Sequence, residues 1–236
     1  MPALKPLLRP RLPRPYPTQT RAFLPPLPSL FSAPAQPAIQ TLRAARTLPY
    51  PSAPIYSIIA DVPAYASFVP YCTRSTITRW SAPDALTGRR WPSAGTLTSG
   101  FGGLSETFAS RVYCVPGRVV ESVGGDAVTA LPADAIQHHL VDADGGERGG
   151  EGGGLLTHLR NTWTVEEVRP GETRIELELE VAFANPVYAA LSAGAAPKVA
   201  EAMVRAFEER VRGLLRDSPG MVGARLEDLD GSRLKA

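Results

Sequence analysis

The residues of this chain best suited to metal binding or proton transfer are its three histidines, His138, His139 and His158. An imidazole binds metals when neutral and exchanges protons near neutral pH. Two of the three, however, lie in the polar, Gly-rich segment 126–154, which lacks the apolar surface needed to order itself. The third is on a predicted strand, on the side opposite Leu159. The sequence therefore predicts no metal centre and no histidine base.

Glu106 and Arg111 belong to one predicted strand and are the next candidates for chemistry. Either could orient a polar head group or form an ion pair at a sheet edge. Side chains alternate between the faces of a strand, so residues five apart point to opposite faces and do not act as one unit. The glutamates of 176–180 recur at every second residue, which indicates a solvated face. Cys72 and Cys114 are expected to be buried thiols.

The charged residues are distributed unevenly along the chain. Residues 1–60 contain seven bases and no acid, whereas residues 61–236 carry a net charge of about −5. An acid-free, Arg-bearing N-terminus is typical of a mitochondrial transit peptide, although eleven prolines in residues 1–39 oppose a long amphipathic helix. We therefore predict that residues 1–45 are a transit peptide or a disordered leader. The acidic remainder argues against nucleic acid as a partner.

Periodicity predicts two short helices after a weak strand at 46–51. The first begins at Ser52 with apolar residues at helical spacing, and the second spans 65–69. Period-two patterns then predict strands at 74–80, 94–103, 106–115, 118–125, 155–168 and 173–184. A helix of about 29 residues should follow Pro186, with a kink at Pro197. Residues 217–236 are polar and are expected to be disordered.

These elements predict an α+β fold in which a curved antiparallel sheet is wrapped around the long C-terminal helix, a helix-grip architecture. Such a grip encloses space between sheet and helix. The small residues of 189–196 leave room there that a packed core would fill with Leu or Phe. An apolar space with few polar groups suits a lipid, because burying hydrocarbon contributes about 0.8 kcal/mol per CH₂.

Four segments resemble the mitochondrial coenzyme Q-binding proteins of the START-like, polyketide cyclase superfamily. They are LPYPSAPIYSIIADVPAYASFVPYC (48–72), GFGGLSETFASRVYCVPGRVVES (100–122), LRNTWTV (159–165) and FANPVYAALSAGAAPKVAEAMVRAFEERVRGLL (183–215). The segments occur in the family's order, and the chain departs from the family at its long insertion and its Pro-dense leader. The resemblance implies a START-like ligand-binding domain at 46–216.

The resemblance also implies a function. Ubiquinone would enter a hydrophobic tunnel, and the protein would act as a lipid chaperone or carrier for respiratory electron transport and quinone biosynthesis. It would lie on the matrix side of the mitochondrial inner membrane and contact it peripherally, with respiratory-chain or quinone-biosynthesis proteins as further candidate partners. The resemblance implies neither catalysis nor a catalytic cofactor.

The residues predicted to line or gate the cavity are mostly apolar, and Tyr188 or Arg111 is expected near the head group. The full set is Phe68, Val69, Tyr71, Phe101, Phe108, Arg111, Phe183, Val187, Tyr188, Leu191, Val199 and Met203. Two alternatives remain open. One is a cyclase or aromatase with Glu106 or Tyr188 as its acid or base, and the other is a ribosome- or protein-interaction module.

Overall fold

The structure is a computed structural model that describes residues 38–101, 104–141, 155–194 and 196–229, without the side chains at 101, 104, 191–193 and 196. Its strands are β1 (Gln40–Leu48), β2 (Cys72–Trp80), β3 (Pro92–Phe101), β4 (Leu104–Val115), β5 (Val119–Gly125), β6 (Leu156–Arg169) and β7 (Glu172–Phe183). Its α-helices are α1 (Ser52–Ala60), α2 (Gln137–Leu140), α3 (Pro186–Ala193) and α4 (Ala196–Asp217). Short 3-10 helices span Val62–Ser67, Ala133–Ile136, Pro219–Met221 and Leu226–Asp228.

The seven strands form one antiparallel sheet in the order β1-β7-β6-β5-β4-β3-β2. The last six strands form a meander, and β1 pairs with β7 at the far edge. Helices α1 and α4 pack on one face of this curved sheet and form the main core with it. The predicted α+β helix-grip fold is confirmed, with α1 and the 3-10 helix Val62–Ser67 as its two short N-terminal helices.

The first strand begins earlier than the sequence pattern indicated. β1 starts at Gln40, so the predicted strand at 46–51 covers only its end, and a leader reaching residue 45 would cut through it. The inward positions Leu42 and Ala44 carry too little apolar bulk for a clear alternating pattern. Pairing with β7 along the whole strand, rather than its own side chains, defines β1.

The predicted flexible insertion, residues 126–154, is packed as far as Val141. Ala127 and Ile136 are buried on the convex face of the sheet, against β4 and β5. Polar residues separate these apolar ones, so no periodicity marks them in the sequence. The prediction is wrong for this first part, and residues 142–154 lie outside the described part of the chain.

The predicted disordered tail, residues 217–236, is packed as far as Leu229. Met221 and Leu229 are 8% and 0% exposed, and Arg89 donates a hydrogen bond to the carbonyl of Leu226 at 2.7 Å. The apolar residues of this segment occur singly and gain their contacts from distant elements, which a local pattern does not reveal. The prediction is therefore wrong up to this point, and the remainder lies outside the described residues.

The predicted single C-terminal helix is divided into α3 and α4 around Gly194. Pro197 has no N–H and its ring clashes with the carbonyl oxygen four residues earlier, which is that of Ala193. A continuous helix is therefore excluded at this point. The sequence predicted a kink at Pro197. The structure has instead a break at Gly194, three residues before this proline, so that α3 and α4 are separate helices.

His139, in the segment that packs on the convex face of the sheet, is buried and contacts β4. Its side chain is 4% exposed, and Nε2 accepts the backbone N–H of Cys114 at 2.8 Å. Burial, together with the neighbouring His138, lowers the pKa of His139 to about 4. The neutral ring is therefore a structural acceptor at physiological pH, which differs from the unpacked histidine that the sequence predicted.

Gly125 provides a test of the β5–β6 pairing. Its φ is +61°, and a Cβ there would overlap the carbonyl oxygen of Thr157, where β6 is bulged. Gly125→Ala should lower the free energy of unfolding by roughly 3 kcal/mol or more, because backbone must move. Gly171 has a φ of +76° with open space around it. Gly171→Ala should cost only about 1 kcal/mol. Equal costs in urea unfolding would contradict this account.

His139 predicts a pH dependence of stability. Its pKa is about 4 in the folded state and about 6.5 when unfolded. The unfolded state binds more protons between these values, so the contribution is complete above pH ~6.5 and is lost as pH falls toward 4. His139→Gln keeps an acceptor but does not titrate. We expect the stability difference between the two proteins to change by on the order of 2 kcal/mol across this window in urea titrations. A constant difference would refute the assignment.

Candidate functional site

The concave face of the sheet is filled completely at one end. Phe207 of α4 packs against Tyr65, Phe68 and Trp163, with ring centroids 5.2, 4.9 and 4.5 Å away. Phe207 and Trp163 are 0% and 1% exposed. These four rings lie between α4, the sheet and the segment after α1. This end of the space between helix and sheet is closed.

The centre of the same face carries small residues. Ser122 on β5 lies between Val112 and Asn161, and Gly124 lies beside Leu159. Ser110 stands next to Gly124, whose Cβ, if present, would lie 3.3 Å from its Oγ. Ser110 and Ser122 remain partly exposed although they belong to central strands. Side chains of this size give the centre of the concave face far less bulk than the four-ring end.

Beyond this centre, apolar side chains line an end of the face that is not sealed. They pack on the core but stay partly exposed, and they include Leu97, Leu156, Leu159, Leu179, Phe183 and Met203. Accessible apolar surface between a sheet and its covering helix is suited to a hydrocarbon ligand. We therefore take the concave face between the four-ring end and these residues as the candidate site.

Two polar groups on this face lack hydrogen-bond partners. They are the Trp163 indole Nε1 and Asn161 Oδ1, both buried. Glu106 lies on the same face, because it is separated from Val112 and Cys114 by even numbers of residues along β4. Its carboxylate accepts the backbone N–H of Leu155. The acid of this face is therefore engaged with the backbone.

The predicted cavity residues divide into several groups. Phe68, Phe183 and Met203 pack against the apolar core of the face, and Val69 is buried within it. Phe108 is half-buried on the inner side of β4, opposite Leu97. Val199 of α4 is also half-buried.

Three other predicted residues lie on α3 or on the convex side of β4. Val187 is 61% exposed, and Tyr188 is half-buried on α3. Arg111 is on the convex side of β4, since it is two residues from Tyr113, which packs in the convex-face cluster. Arg111 therefore does not face the candidate site, and its predicted role at a ligand head group has no support from this position. Val187 was chosen from its place in a small-residue helix, and the break before α4 leaves α3 at the surface.

The side chains of Phe101 and Leu191 lie outside the described residues. Tyr71 is 45% exposed and has a φ of +65°, the left-handed region that non-glycine residues rarely adopt. Its carbonyl oxygen accepts the backbone N–H of Gly100 at 2.9 Å. The hydrogen bond holds the turn before β2 against the end of β3, so Tyr71 lies at the sheet margin rather than on the concave face.

Sequence reasoning missed the residues that shape the site most. Ser110, Ser122, Gly124 and Asn161 come from three strands and read as poor strand formers in isolation. They share the inward positions of neighbouring strands, a signal that becomes visible only when strand order and register are known.

The buried cysteines offer no nucleophile. Burial raises the pKa of Cys114 to about 12 and raises that of Cys72, so both thiols are protonated at neutral pH. The described residues contain no group of three or more His, Cys, Asp or Glu side chains that could hold a metal ion. In the same part of the chain, no helix is long and apolar enough to cross a bilayer.

Two grooves lie outside the concave face. The larger, with about 230 Å³ of free volume, is on the convex face and is lined by Glu121, Arg160, Glu176 and Glu178 among others. Arg160 donates to Glu180 at 2.5 Å. Charged walls of this kind would have to lose their water to bury hydrocarbon. The smaller, of about 40 Å³ beside Trp80, lacks the volume for a lipid. We therefore place the candidate site on the concave face.

A family model described as polyketide cyclase / dehydrase and lipid transport matches residues 48–208. A START superfamily protein from Mycobacterium smegmatis superposes with a TM-score of 0.53 at 19% identity, over 74% of this chain and 98% of that one. The fold is thus that of the START-like class. "Coenzyme Q-binding protein coq10, mitochondrial" of Schizosaccharomyces pombe is 31% identical over 174 residues, 74% of this chain and 88% of that protein. Within its class, this chain belongs to the coenzyme Q-binding protein family.

A bacterial relative has a different name. "Ribosome association toxin RatA" of Pseudomonas aeruginosa is 25% identical over 167 residues, 71% of this chain and 92% of that protein. The same fold therefore occurs among proteins named for unlike activities, and a function must be argued from the site.

The unequal packing of α4 can be tested by two substitutions one turn apart. Phe207→Ala should lower the free energy of unfolding by about 3 to 5 kcal/mol, because it empties the closed end. Met203→Ala should cost only about 1 kcal/mol, since Met203 borders space that is already open. Urea unfolding without added lipid measures both. Similar losses for the two variants would show that the helix is packed evenly and that the open end is misplaced.

Proposed function

We propose that this protein binds ubiquinone between the concave face of its sheet and α4. Membership of a family that includes lipid transport proteins supports a lipid-binding role, and the name of the S. pombe relative supports ubiquinone as the lipid. The observation that carries the proposal is the concave face itself. Small residues at its centre and partly exposed Leu156, Phe183 and Met203 at its open end provide an apolar surface for an isoprenoid tail.

The energetic basis is the burial of hydrocarbon. Each CH₂ removed from water contributes about 0.8 kcal/mol, so even a few isoprene units bind without any ionic contact. The six residues named at the open end are apolar and carry no charge, and the neighbouring Glu106 carboxylate is engaged with the backbone N–H of Leu155. Affinity would therefore come mainly from the tail, and the head group would add specificity.

We further propose that the protein is a chaperone or carrier rather than an enzyme. It would supply ubiquinone to respiratory electron transport and to the quinone-biosynthesis machinery, in peripheral contact with the matrix side of the mitochondrial inner membrane. The mitochondrial names of the eukaryotic relatives and the acid-free, Arg-bearing N-terminus support this location. The N-terminal leader would act as the transit peptide, with its end ahead of β1.

A cyclase or aromatase is the second candidate, because the family description includes cyclases and Glu106 lies on the concave face. This carboxylate accepts the backbone N–H of Leu155, where β6 begins, and so has a structural partner already. Tyr188 is half-buried on α3, and no acid or base partner of its hydroxyl is seen among the described residues. Glu106→Gln separates the two proposals, since it would abolish acid catalysis but should leave ubiquinone binding within about twofold.

The direct test is to extract lipid from the purified full chain and identify it by mass spectrometry. We expect ubiquinone to be enriched over the membrane lipids of the host cell, and added ubiquinone to raise the melting temperature. A protein that carries no isoprenoid lipid and whose melting temperature does not respond to ubiquinone would overturn the proposal.

Ser122→Leu tests the location of the site. A leucine at this inward position should occupy the space beneath α4 and reduce ubiquinone binding at least tenfold, with little loss of stability. Ser105→Leu places the same side chain on an exposed position of β4 and is the matched control. Tail binding is measured by titration with a short-chain ubiquinone. Wild-type affinity in Ser122→Leu would place the lipid elsewhere.

A further inference from the structure

The concave face contains two buried polar groups whose hydrogen-bonding capacity is unused. The indole N–H of Trp163 has no acceptor, although the residue is 1% exposed, and Asn161 Oδ1 has no donor. A buried polar group that is left unpaired destabilises the folded state. Proteins rarely retain such groups without a partner, so each one calls for an explanation.

Trp163 and Asn161 face the same way. They are two residues apart on β6, and their cross-strand partners Leu177 and Leu179 lie on the inner face of β7. On the other side of Asn161 stands Ser122, one of the small central residues. The two unused polar groups therefore lie side by side at the boundary between the closed end and the space beneath α4.

The position of this pair along β6 defines a direction for a bound lipid. Trp163 contacts Phe207 at the closed end, with ring centroids 4.5 Å apart. Leu156 lies at the other end of β6, five residues before Asn161, a distance of roughly 16 Å along a strand. The partly exposed apolar side chains lie toward Leu156 and Phe183, so a long tail fits in that direction, with the head of the ligand next to Trp163.

The chemistry of the pair selects the kind of head group. An indole N–H is a donor only, and a carboxamide both donates and accepts. In the described residues of β4 to β7, no Lys or Arg occupies an inward position, so a carboxylate or phosphate would be buried there without a counter-ion. A neutral ring bearing carbonyl oxygen atoms meets both conditions, because these oxygens accept from the indole N–H and the ring carries no charge that needs a counter-ion.

We infer that Trp163 and Asn161 form a head-group subsite that binds a quinone ring with its oxygen atoms inward and its isoprenoid tail toward the open end. The Trp163 Nε1–H donates to a ring carbonyl oxygen. The Asn161 carboxamide donates to a quinone oxygen or accepts a quinol hydroxyl, so both redox forms are held. The inference rests on the proposed function and adds to it the residues and the orientation of the head.

The test compares two ligands and two variants. The ligands are a short-chain ubiquinone and squalene, an isoprenoid hydrocarbon with no head group. Trp163→Phe keeps an aromatic ring against Phe207 but removes the N–H. We expect its ubiquinone affinity to fall about five- to tenfold while its squalene affinity stays within twofold. Trp80→Phe, at a 48% exposed position of β2, is the matched control and should bind both ligands like the unchanged protein.

A second measurement does not depend on how the variant folds. The chain has three tryptophans, and the indole N–H signal of Trp163 in a ¹H–¹⁵N NMR spectrum is the one absent from Trp163→Phe. Ubiquinone should move this signal downfield in the unchanged protein and slow its exchange with solvent, as expected for a new hydrogen bond. Squalene should produce neither change.

The outcomes separate this inference from the proposed function. If the unchanged protein binds ubiquinone, but Trp163→Phe binds it equally well or the Trp163 indole signal does not respond, the head group lies elsewhere and only the subsite is overturned. If the unchanged protein binds squalene but no ubiquinone, the protein takes an isoprenoid without recognising a quinone, and both are overturned.

Discussion

The packing of Phe207 against Trp163, Tyr65 and Phe68 is the contact on which the rest of the structure depends. It fixes α4 over one end of the sheet, with Tyr65, Trp163 and Phe207 buried and Phe68 partly buried. Because this end is dense, the helix does not need to pack closely along its whole length. The small residues farther along the concave face can therefore leave space without detaching the helix.

Ion pairs complement this apolar contact at the edge of the sheet. Arg46 on β1 reaches Glu201 and Glu208 of α4, with its Nε 3.4 Å from Glu208 Oε2. Arg212, one turn farther along the helix, pairs with the same Glu208 at 2.7 Å. These groups are partly exposed, so each pair contributes little on its own. Their contribution is to hold α4 against β1, the strand at the edge of the sheet opposite β2.

The two faces of the sheet have become chemically distinct. Residues of β6 and β7 alternate between an inner face with Trp163 and Leu177 and an outer face where Arg160 and His158 contact Glu180. Burial raises the pKa of the Glu180 carboxyl, and its hydrogen bonds with Arg160 and His158 lower it by more, so that the net shift is downward. The glutamate-rich face predicted to be solvated is thus an ion-pair network, and the apolar face remains for the ligand.

The sequence by itself determined the order of the elements, the alternation of β7 and the helix-grip fold, because these follow from local periods of two and about 3.6 residues. Only the tertiary structure decided which inward positions meet, because strand register joins Ser122 to Asn161 and places Arg111 on the convex face, opposite the candidate site. The packing of Ile136 and Leu229 likewise depends on distant partners. The local pattern of a strand predicts on which face of the sheet a side chain lies. A binding site also depends on which residues of the neighbouring strands lie beside that side chain.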